Sequence, residues 1–558
     1  MAGDTTTDKA APERLDVRPA SENDKVEGAA DEYKPPKSIL IIGSGVFGLS
    51  TARALTQRPE IPSSVSITII DRSPEAGVFP APDASSIDSS RIIRADYADY
   101  AYAALAAEAQ IHWREGQKTV NGKGIEKESQ DEDENSSKNF LGGEGRYTES
   151  GLFLGAQGTE TVRPDGKPTG LGYVKRSWVN SLALAAAAGR PMSSVRMVPF
   201  TGGVAKLSRL GGEWADWGYL NEAAGWADAE ASMKWYYESV KETGRVEFVN
   251  GTVEELVVEG KTDEKQDEKE NQRVTGAKLT DGRTFSAELV IVAAGAWTPS
   301  LLDMTGQAIA TGQVLGYFKL TEEEEAKLSA VPVCLNLTDG CFIIPPRDGI
   351  LKIARHSYGY LNPQPTKAQP LGAPTDPQNQ DSTTPKTIVS QPLTHLSSTT
   401  LSIPAEGATA LRSALKSMLP WSDLSTRPFH KTRLCWYTDT VTGDWIIDYH
   451  PSFSGLFVAT GGSGHAFKFL PVLGDKVVDC LVGRCPPQFK EKWKWKGPVA
   501  SSVKQSGQQE EGGAEGDDQK QAVAAALAVE EYITTEDGSR GGKAGLILKD
   551  EMVKSGIA

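Results

Sequence analysis

The sequence is poor in features that mark several common protein classes. Only five cysteines occur among 558 residues, at positions 334, 341, 435, 480 and 485, and no two of them form a CxxC pair. An odd number of cysteines at that spacing indicates neither a disulfide framework nor a zinc centre. We therefore expect a reducing compartment and no metal site.

Long apolar runs and an excess of positive charge are also missing. No run of about 18 apolar residues occurs, and the opening "MAGDTTTDKAAPERLD" has no apolar signal-peptide core. The formal net charge is -15 and the pI is about 5.1, whereas nucleic acids and anionic membranes select clustered Lys and Arg. These absences favour a protein that acts on small molecules and has no nucleic-acid or membrane partner. We expect a cytoplasmic location; "KSGIA" is not the peroxisomal signal Ser-Lys-Leu, and a peroxisome stays open as the alternative.

Three polar ranges contain too few apolar residues to build a core. They are rich in charge and poor in aromatic side chains, as in "EKESQDEDENSSKN". Burial of so little apolar surface does not offset the entropy lost on ordering. We predict a disordered tail over 1–36, an acidic insertion over 116–148 and a C-terminal tail over 486–558.

The stretch "KSILIIGSGVFGLSTARAL", residues 37–55, predicts a strand, a glycine turn and a helix. Gly43, Gly45 and Gly48 form the pattern GxGxxG, which permits a tight turn, close approach of a pyrophosphate and packing of helix on strand. The next predicted strand, "SITIID", ends at Asp71, where an acid would bind ribose hydroxyls, although Arg72 is adjacent. The turn therefore predicts a site for a dinucleotide, either NAD or FAD.

A second strand and glycine turn lies about 410 residues further on, in "GLFVATGGSGHAFKFLPVLGDKVVDCL". Gly461, Gly462 and Gly464 there open a predicted helix. NAD domains do not need such a turn, whereas a flavin ring lies far from its pyrophosphate and is held separately. The second turn thus favours FAD, with an additional crossover of the sheet as the alternative.

Four motifs resemble, in the same order, those of the flavin amine oxidases, the family of monomeric sarcosine oxidase, pipecolate oxidase, saccharopine oxidase and the fungal fructosyl amino acid oxidases. They are "SSIDSSRIIRADY", "GILKIARH", "RLCWYTDTVTGDWIIDYHP" and "GGSGHAFKFLP". The resemblance implies an α/β plus α+β fold. In it, a Rossmann-like, glutathione-reductase-like FAD-binding domain is interleaved with an antiparallel-sheet substrate domain.

Domain boundaries are predicted from this resemblance and from the strand pattern. Residues 37–115, 172–299 and 435–485 are assigned to the FAD-binding domain. Residues 149–171 and 300–434, whose strands alternate, are assigned to the substrate domain. We expect the protein to be a monomer.

The resemblance implies that three residues act at the flavin ring. Cys435 would bond through its sulfur to the flavin 8α-methyl carbon, with a buried apolar cysteine as the alternative. Lys352 would place a positive charge behind the ring, where oxygen reacts, and a solvated lysine at a sheet edge is its alternative. Arg91 would lie over the ring.

The resemblance assigns four further residues to the substrate. Arg94 and Lys468 would bind the substrate carboxylate, with surface salt bridges as the alternative. His356 would lie beside the substrate amine, and a structural histidine is its alternative. Tyr437 would add a hydroxyl group near the substrate.

The predicted cofactor contacts belong to the two glycine turns, the end of the second strand and the flavin-flanking motifs. They are Gly43, Gly45, Val46, Phe47, Gly48, Asp71, Arg72, Ser90, Arg91, Cys435, Asp448, Gly462, Gly464, His465 and Lys468.

The sequence thus predicts an FAD-dependent oxidase of secondary amino acids. It would oxidise a C–N bond to an imine and reduce O2 to H2O2, with a substrate like saccharopine, a fructosyl amino acid, pipecolate or sarcosine. One alternative is a flavin dehydrogenase or demethylase of an N-methyl amino acid intermediate in secondary metabolism. Another is a flavoprotein scaffold without catalysis.

Overall fold

A computed structural model of the protein describes residues 33–75, 77–116, 137–259, 272–373, 387–398, 401–496 and 534–556. The residues from Pro35 onward form one unit. Most of the predicted tail over 1–36 and residues 117–136 of the predicted acidic insertion lie outside the described residues. The predicted domain boundaries stay predictions.

The first glycine turn follows one strand of a six-stranded sheet. Its strands are parallel except for one antiparallel strand at the edge. In spatial order they are Ile446–Tyr449, Leu456–Thr460, Leu289–Val292, Ser38–Ile42, Ser66–Asp71 and Val246–Asn250. Three strands predicted from the sequence, in "SILII", "SITIID" and "GLFVATGG", are therefore confirmed as members of one sheet buried on both faces.

The first glycine turn is followed directly by the helix Val46–Gln57. A Cβ atom on Gly48 would lie only 1.8 Å from the carbonyl oxygen of Gly43. Glycine is therefore required where this helix packs on the end of the first strand.

A ten-stranded, mainly antiparallel sheet forms the second layer of the fold. In spatial order its strands are Leu546–Ile547, Tyr360–Leu361, Ala308–Lys319, Ile350–Arg355, Cys341–Arg347, Val333–Asn336, Leu152–Ala156, Trp217–Asn221 and Val195–Val198, and Lys431–Thr440 pairs separately with Ala308–Lys319. The antiparallel sheet predicted within 300–434 is present. Two of its strands, Val195–Val198 and Trp217–Asn221, come from the range assigned to the FAD-binding domain. Trp217–Asn221 pairs with Leu152–Ala156, and Val195–Val198 pairs in turn with Trp217–Asn221.

The strand Lys431–Thr440 carries three of the site's side chains. It pairs with Ala308–Lys319 through ten consecutive residue pairs, from Lys431 opposite Tyr317 to Thr440 opposite Ala308. Alternate residues of a strand share a face. Cys435, Tyr437 and Asp439 therefore lie on one face of this strand.

Smaller sheets and helices complete the described structure. The smaller strands are Val253–Glu259, Gln272–Leu279, Thr284–Ser286 and Phe453–Ser454; Arg91–Ile93, Gly225–Ala227 and Tyr147–Thr148; and Pro363–Pro365 with Ile388–Ser390. The other α-helices are Tyr100–Arg114, Gly170–Ala187, Thr201–Ser208, Ala229–Lys241, Glu322–Leu328, Ala405–Met418, Leu470–Leu481, Pro487–Trp493 and Leu548–Lys554, with 3-10 turns at Ser137–Asn139, Met192–Ser194, Gly295–Ser300 and Phe467–Phe469. Within the described ranges, none of the helices has the length and apolarity needed to cross a membrane.

The second glycine turn differs in detail from the prediction. The predicted helix does not begin at the glycines, because the 3-10 turn Phe467–Phe469 intervenes and the α-helix begins at Leu470. Pro471 occupies the first turn of that helix, where its missing N–H leaves no hydrogen bond unmade.

Candidate functional site

A cleft of about 350 Å³ lies at the carboxyl ends of the parallel strands; we call it the glycine cleft. Both glycine turns line it, through Gly43 and Gly45 of the first and Gly462 and Gly464 of the second. Two turns separated by roughly 410 residues therefore form one binding surface. This arrangement fits an elongated ligand that is held at both ends.

The first turn has the features that a pyrophosphate requires. Gly45 caps the helix Val46–Gln57 without a side-chain hydrogen bond, so that no capping side chain occupies the first N–H groups of the helix. A Cβ atom on Gly45 would have no atom within 4 Å, which shows that its outer side is open. Open N–H donors at the positive end of a helix bind phosphate.

Asp71 lies at the end of its strand and lines the glycine cleft, as predicted. Its Oδ2 atom accepts hydrogen bonds from the amide of Ser44 at 2.8 Å and the hydroxyl of Ser44 at 2.6 Å. Burial raises the pKa of Asp71, although these two hydrogen bonds oppose the shift. Arg72 also lines the cleft, where it pairs with Asp83 and stacks on Trp297.

The second turn brings Tyr437 against the backbone. Gly464 has a φ angle of +68°, and a Cβ atom there would lie 2.3 Å from the Tyr437 ring. Only glycine fits this conformation and this approach. The turn therefore fixes the position of Tyr437 between the glycine cleft and the next cavity.

A smaller cavity of about 80 Å³, the inner cavity, adjoins the glycine cleft and shares Arg91, Tyr437, Gly464 and His465 with it. It collects most of the predicted residues that act at the flavin ring or the substrate. They are Ser90, Arg91, Arg94, Lys352, His356, Cys435, Tyr437, Gly464, His465 and Lys468. The structure thus brings together side chains from four separate motifs.

Lys352 has a carboxylate partner that the sequence did not reveal. Its Nζ atom donates to Asp88 Oδ2 at 2.6 Å and to the Ser90 carbonyl at 2.6 Å. Asp88 also pairs with Arg91 and accepts from the Tyr317 hydroxyl at 2.7 Å. Burial lowers the pKa of Lys352 to about 8 against the opposing effect of Asp88. Burial alone would raise the pKa of Asp88, but Lys352 and Arg91 hold it well below its ordinary value.

Cys435 is buried beside Arg91. Its Sγ atom lies 3.6 Å from Nη2 of Arg91, and the residue is 2% exposed. The guanidinium of Arg91 therefore donates a hydrogen bond to this sulfur.

Arg94 and Lys468 form a second cationic group, in a setting unlike that of Lys352. Both are 6% exposed, and neither makes an ion pair with a carboxylate among the described residues. Both lie over the ring of Tyr97, at 4.9 and 5.3 Å from its centre. The Nη1 atom of Arg94 is buried without a hydrogen-bond partner in the described structure.

The electrostatics of this pair favour an anion. Burial and the charge of Arg94 lower the pKa of Lys468 well below its ordinary value, against the opposing effect of Asp96. Two buried cations with an unmatched donor are costly unless a ligand supplies the negative charge. A bound carboxylate would remove that cost.

A directed chain of hydrogen bonds holds Lys468. Its Nζ atom donates to the Tyr97 hydroxyl at 2.9 Å, and that hydroxyl lies 3.2 Å from Nδ1 of His465. His465 Nε2 lies 2.8 Å from the carbonyl oxygen of Gly443. Because a carbonyl only accepts, the proton of His465 is on Nε2 and its Nδ1 accepts from Tyr97. The chain keeps the charge of Lys468 at a fixed position.

A third cavity of about 390 Å³, the outer chamber, adjoins the inner cavity through Arg94, His356 and His465. Residues 535–537 and 539–540 of the C-terminal segment form one of its walls. This part of the range predicted as a C-terminal tail therefore packs against the site. Arg540 pairs there with Asp439 at 2.5 Å, with its side chain 1% exposed.

Among the described residues, Asp448 is the predicted cofactor contact that the structure places away from all three cavities. It lies on the antiparallel edge strand, where its carboxylate accepts from the amides of Tyr449 and Trp495. Gly48 also lines no cavity and acts through packing.

The sequence analysis missed Asp88, Tyr97 and Arg540. Asp88 and Tyr97 flank the arginine motif, so an acid and an aromatic ring beside two cations were the available signal. Arg540 follows a long polar stretch and offered no signal.

Comparison with known proteins decides the family. A family model described as FAD dependent oxidoreductase matches residues 38–129 and 151–480. The chain belongs to this family. It is an FAD-dependent oxidoreductase, and the glycine cleft and inner cavity lie within the matched ranges.

Two curated relatives and one solved structure that are similar to this oxidoreductase match most of the chain. Amino acid oxidase imqH of Aspergillus flavus is 33% identical over 498 residues, which are 83% of this chain and 98% of the relative. L-saccharopine oxidase of Schizosaccharomyces pombe is 27% identical over 82% of this chain and 93% of the relative. The crystal structure of fructosamine oxidase (Amadoriase II) from Aspergillus fumigatus matches with a TM-score of 0.59 and 25% identity, over 83% of this chain and 90% of that one.

Proposed function

We propose that the protein oxidises the C–N bond of a secondary amino acid to an imine and reduces O2 to H2O2. The observation that carries this proposal is the buried pair of Arg94 and Lys468, which has no carboxylate partner in the described structure and adjoins the glycine cleft. Such a pair fits the carboxylate of an amino acid better than a simple amine. The named activities of the relatives support the same class of substrate.

Residues of the glycine cleft are suited to FAD. Gly43, Gly45 and the helix amides would hold its pyrophosphate, Asp71 its adenosine ribose, and the turn at Gly462 and Gly464 the far end of the molecule. When bound, FAD accepts the hydride from the substrate and passes two electrons to oxygen.

The chain's own residues orient the substrate and set the local charge. Arg94 would bind the substrate carboxylate through its unmatched Nη1 donor, and Lys468 would add a second positive charge beside it. Tyr437, at the boundary of the glycine cleft and the inner cavity, would contact both cofactor and substrate. Lys352, held by Asp88, would supply positive charge where oxygen is reduced.

Covalent attachment through Cys435 forms part of the proposal. The sulfur lies in the inner cavity, 3.6 Å from Nη2 of Arg91. Cys435→Ser leaves the cavity shape nearly unchanged and provides the matched control. A cytoplasmic location and a monomeric state are also part of the proposal.

The test combines one precipitation with one activity screen. Acid precipitation of the full-length protein should leave the yellow colour in the pellet, whereas the Cys435→Ser variant should release it to the supernatant. Peroxide release is then measured with sarcosine, pipecolate, saccharopine, fructosyl-lysine and an N-methyl amino acid. Colour in the wild-type supernatant would disprove covalent attachment, and protein without any yellow colour would disprove flavin binding.

A flavin dehydrogenase is the competing outcome. Amine-dependent reduction of an artificial electron acceptor, without oxygen uptake, would replace the oxidase proposal by that one. Equal activity on amino acids and on the matching amines without a carboxylate would contradict the substrate class.

A further inference from the structure

The C-terminal segment delivers a buried guanidinium to the site. Arg540 Nη2 donates to Asp439 Oδ1 at 2.5 Å and to the carbonyl of Ser463 at 3.0 Å. Its Nη1 atom donates to the carbonyl of Ser357 at 3.2 Å. These contacts tie Arg540 to the strand of Cys435, to the second glycine turn and to the residue after His356.

The same Nη1 atom lies 3.4 Å from Nδ1 of His356. A guanidinium has only donors and stays charged in proteins, so this contact requires a lone pair on Nδ1. In a neutral imidazole the proton is then on Nε2. No hydrogen bond to Nε2 occurs among the described residues, and His356 lines both the inner cavity and the outer chamber.

The surroundings of His356 oppose a second proton. Burial lowers its pKa well below the ordinary value, and the nearby cations add to the shift. The ring of Tyr437 is 6.0 Å away, and the carboxylate of Asp439 is engaged by Arg540. The charged and titratable groups that face His356 are Arg540, Arg94, His465, Lys468 and Tyr437, and the acids in the wall of the outer chamber are Glu536 and Asp537.

We propose that Arg540 is a positioning residue that keeps His356 uncharged with its proton on Nε2, so that His356 donates a hydrogen bond to the bound substrate and removes no proton from it. This role rests on the proposed function. The substrate ammonium then loses its proton to water before the C–H bond breaks. The midpoint of the pH profile of flavin reduction should therefore follow the pKa of the substrate amine when one substrate is replaced by another.

The test compares full-length, FAD-loaded wild-type protein with the Arg540→Gln variant. Nitrogen NMR of histidine-labelled protein, with the His356 signal assigned by its loss in His356→Gln, should show a neutral Nε2–H ring in the wild type. In Arg540→Gln the pKa of His356 should rise by about one unit or more, because a nearby like charge has been removed. The pH profile of anaerobic flavin reduction should then gain a second ionisation, and kcat/KM should fall about tenfold per pH unit below the raised pKa of His356.

Two further variants separate charge from structure. Arg540→Lys keeps the positive charge and should restore the low pKa of His356. Arg163→Gln removes an ion pair that anchors the same segment through Glu536 without touching His356, so it should leave the NMR signal and the pH profile unchanged.

Two results would overturn this role. One is a wild-type His356 that carries its proton on Nδ1, and the other is an Arg540→Gln variant with an unaltered His356 signal and pH profile. The NMR measurement needs no turnover, so it is independent of the proposed function. If the proposed function fails, no peroxide is released, while an Nε2–H signal would still support the role of Arg540.

Discussion

Two buried lysines of the site, Lys352 and Lys468, differ in their counter-ions. Lys352 is 3% exposed and paired with Asp88 at 2.6 Å, whereas Lys468 is 6% exposed and donates to a tyrosine hydroxyl and a carbonyl. A paired charge is satisfied within the protein, and an unpaired one awaits a ligand. The difference teaches that Lys352 supplies positive charge whether or not a substrate is bound, while Lys468 belongs to a binding site for an anion.

The largest effect is expected when the counter-ion of Lys352 is removed. Asp88→Asn leaves Lys352 and Arg91 buried without a carboxylate, so the free energy of unfolding should fall by about 3–5 kcal/mol. Chemical denaturation of the FAD-loaded protein measures this. Glu324→Gln, which breaks a more exposed pair with Arg427, is the control and should cost about 1 kcal/mol or less. Equal losses of unfolding free energy in the two variants would contradict the special importance of Asp88 as a buried counter-ion.

Loss of the anion site should appear in substrate binding. Arg94→Gln removes charged hydrogen bonds to a carboxylate worth about 1.5–3 kcal/mol each, so kcat/KM for an amino acid should fall about 10²- to 10³-fold. The matching amine without a carboxylate should react equally well with both proteins. Arg146→Gln, at a buried arginine that binds backbone carbonyls away from the three cavities, is the control for folding. An equal loss for both substrates would assign Arg94 a structural role instead.

The charge of Lys352 should set the pH dependence of oxygen reduction. Because burial lowers the pKa of Lys352 to about 8, its charge is present below that pH and lost above it. The rate of reaction with oxygen, measured by stopped flow after anaerobic reduction, should fall up to tenfold per pH unit above this value. Lys352→Met should be slow and independent of pH over the same range. A wild-type profile that rises through pH 8 would contradict the role of this charge.

The smallest effect should have the opposite sign from that of Asp88→Asn. Lys468→Met removes a buried amino group that has no ion pair among the described residues, so the protein without substrate should become more stable at neutral pH. In the wild type the folded-state pKa of Lys468 lies below the unfolded one, so stability rises with pH between the two values. The advantage of Lys468→Met should therefore shrink towards pH 10. Destabilisation at neutral pH would show that Lys468 has a counter-ion after all.

The parts of the site that lie within one short stretch of the chain could be predicted from the sequence. The two glycine turns and the acid at the end of the second strand each lie within one short stretch, where spacing reveals them. The arginine pair was assigned through its resemblance to a family motif. The pairing of Lys352 with Asp88 joins residues 264 positions apart, and that of Arg540 with His356 joins residues 184 apart. Such contacts arise from tertiary packing, which one sequence does not display. Asp448 is the opposite case. It lies in a motif that resembles the family, but the structure places its carboxylate on an edge strand away from the three cavities.

The pairing of ten residues along Lys431–Thr440 limits which insertions and deletions this strand can accept. A sulfur, a phenol and a carboxylate share one face of that strand, so their spacing is that of the backbone itself. Insertion or deletion of a single residue between Lys431 and Cys435 would shift the pairing of all three by one position and turn them away together. Substitution can tune these groups one at a time, but a change of chain length there would abolish them as a set, so length variation is tolerable only in the loops beyond.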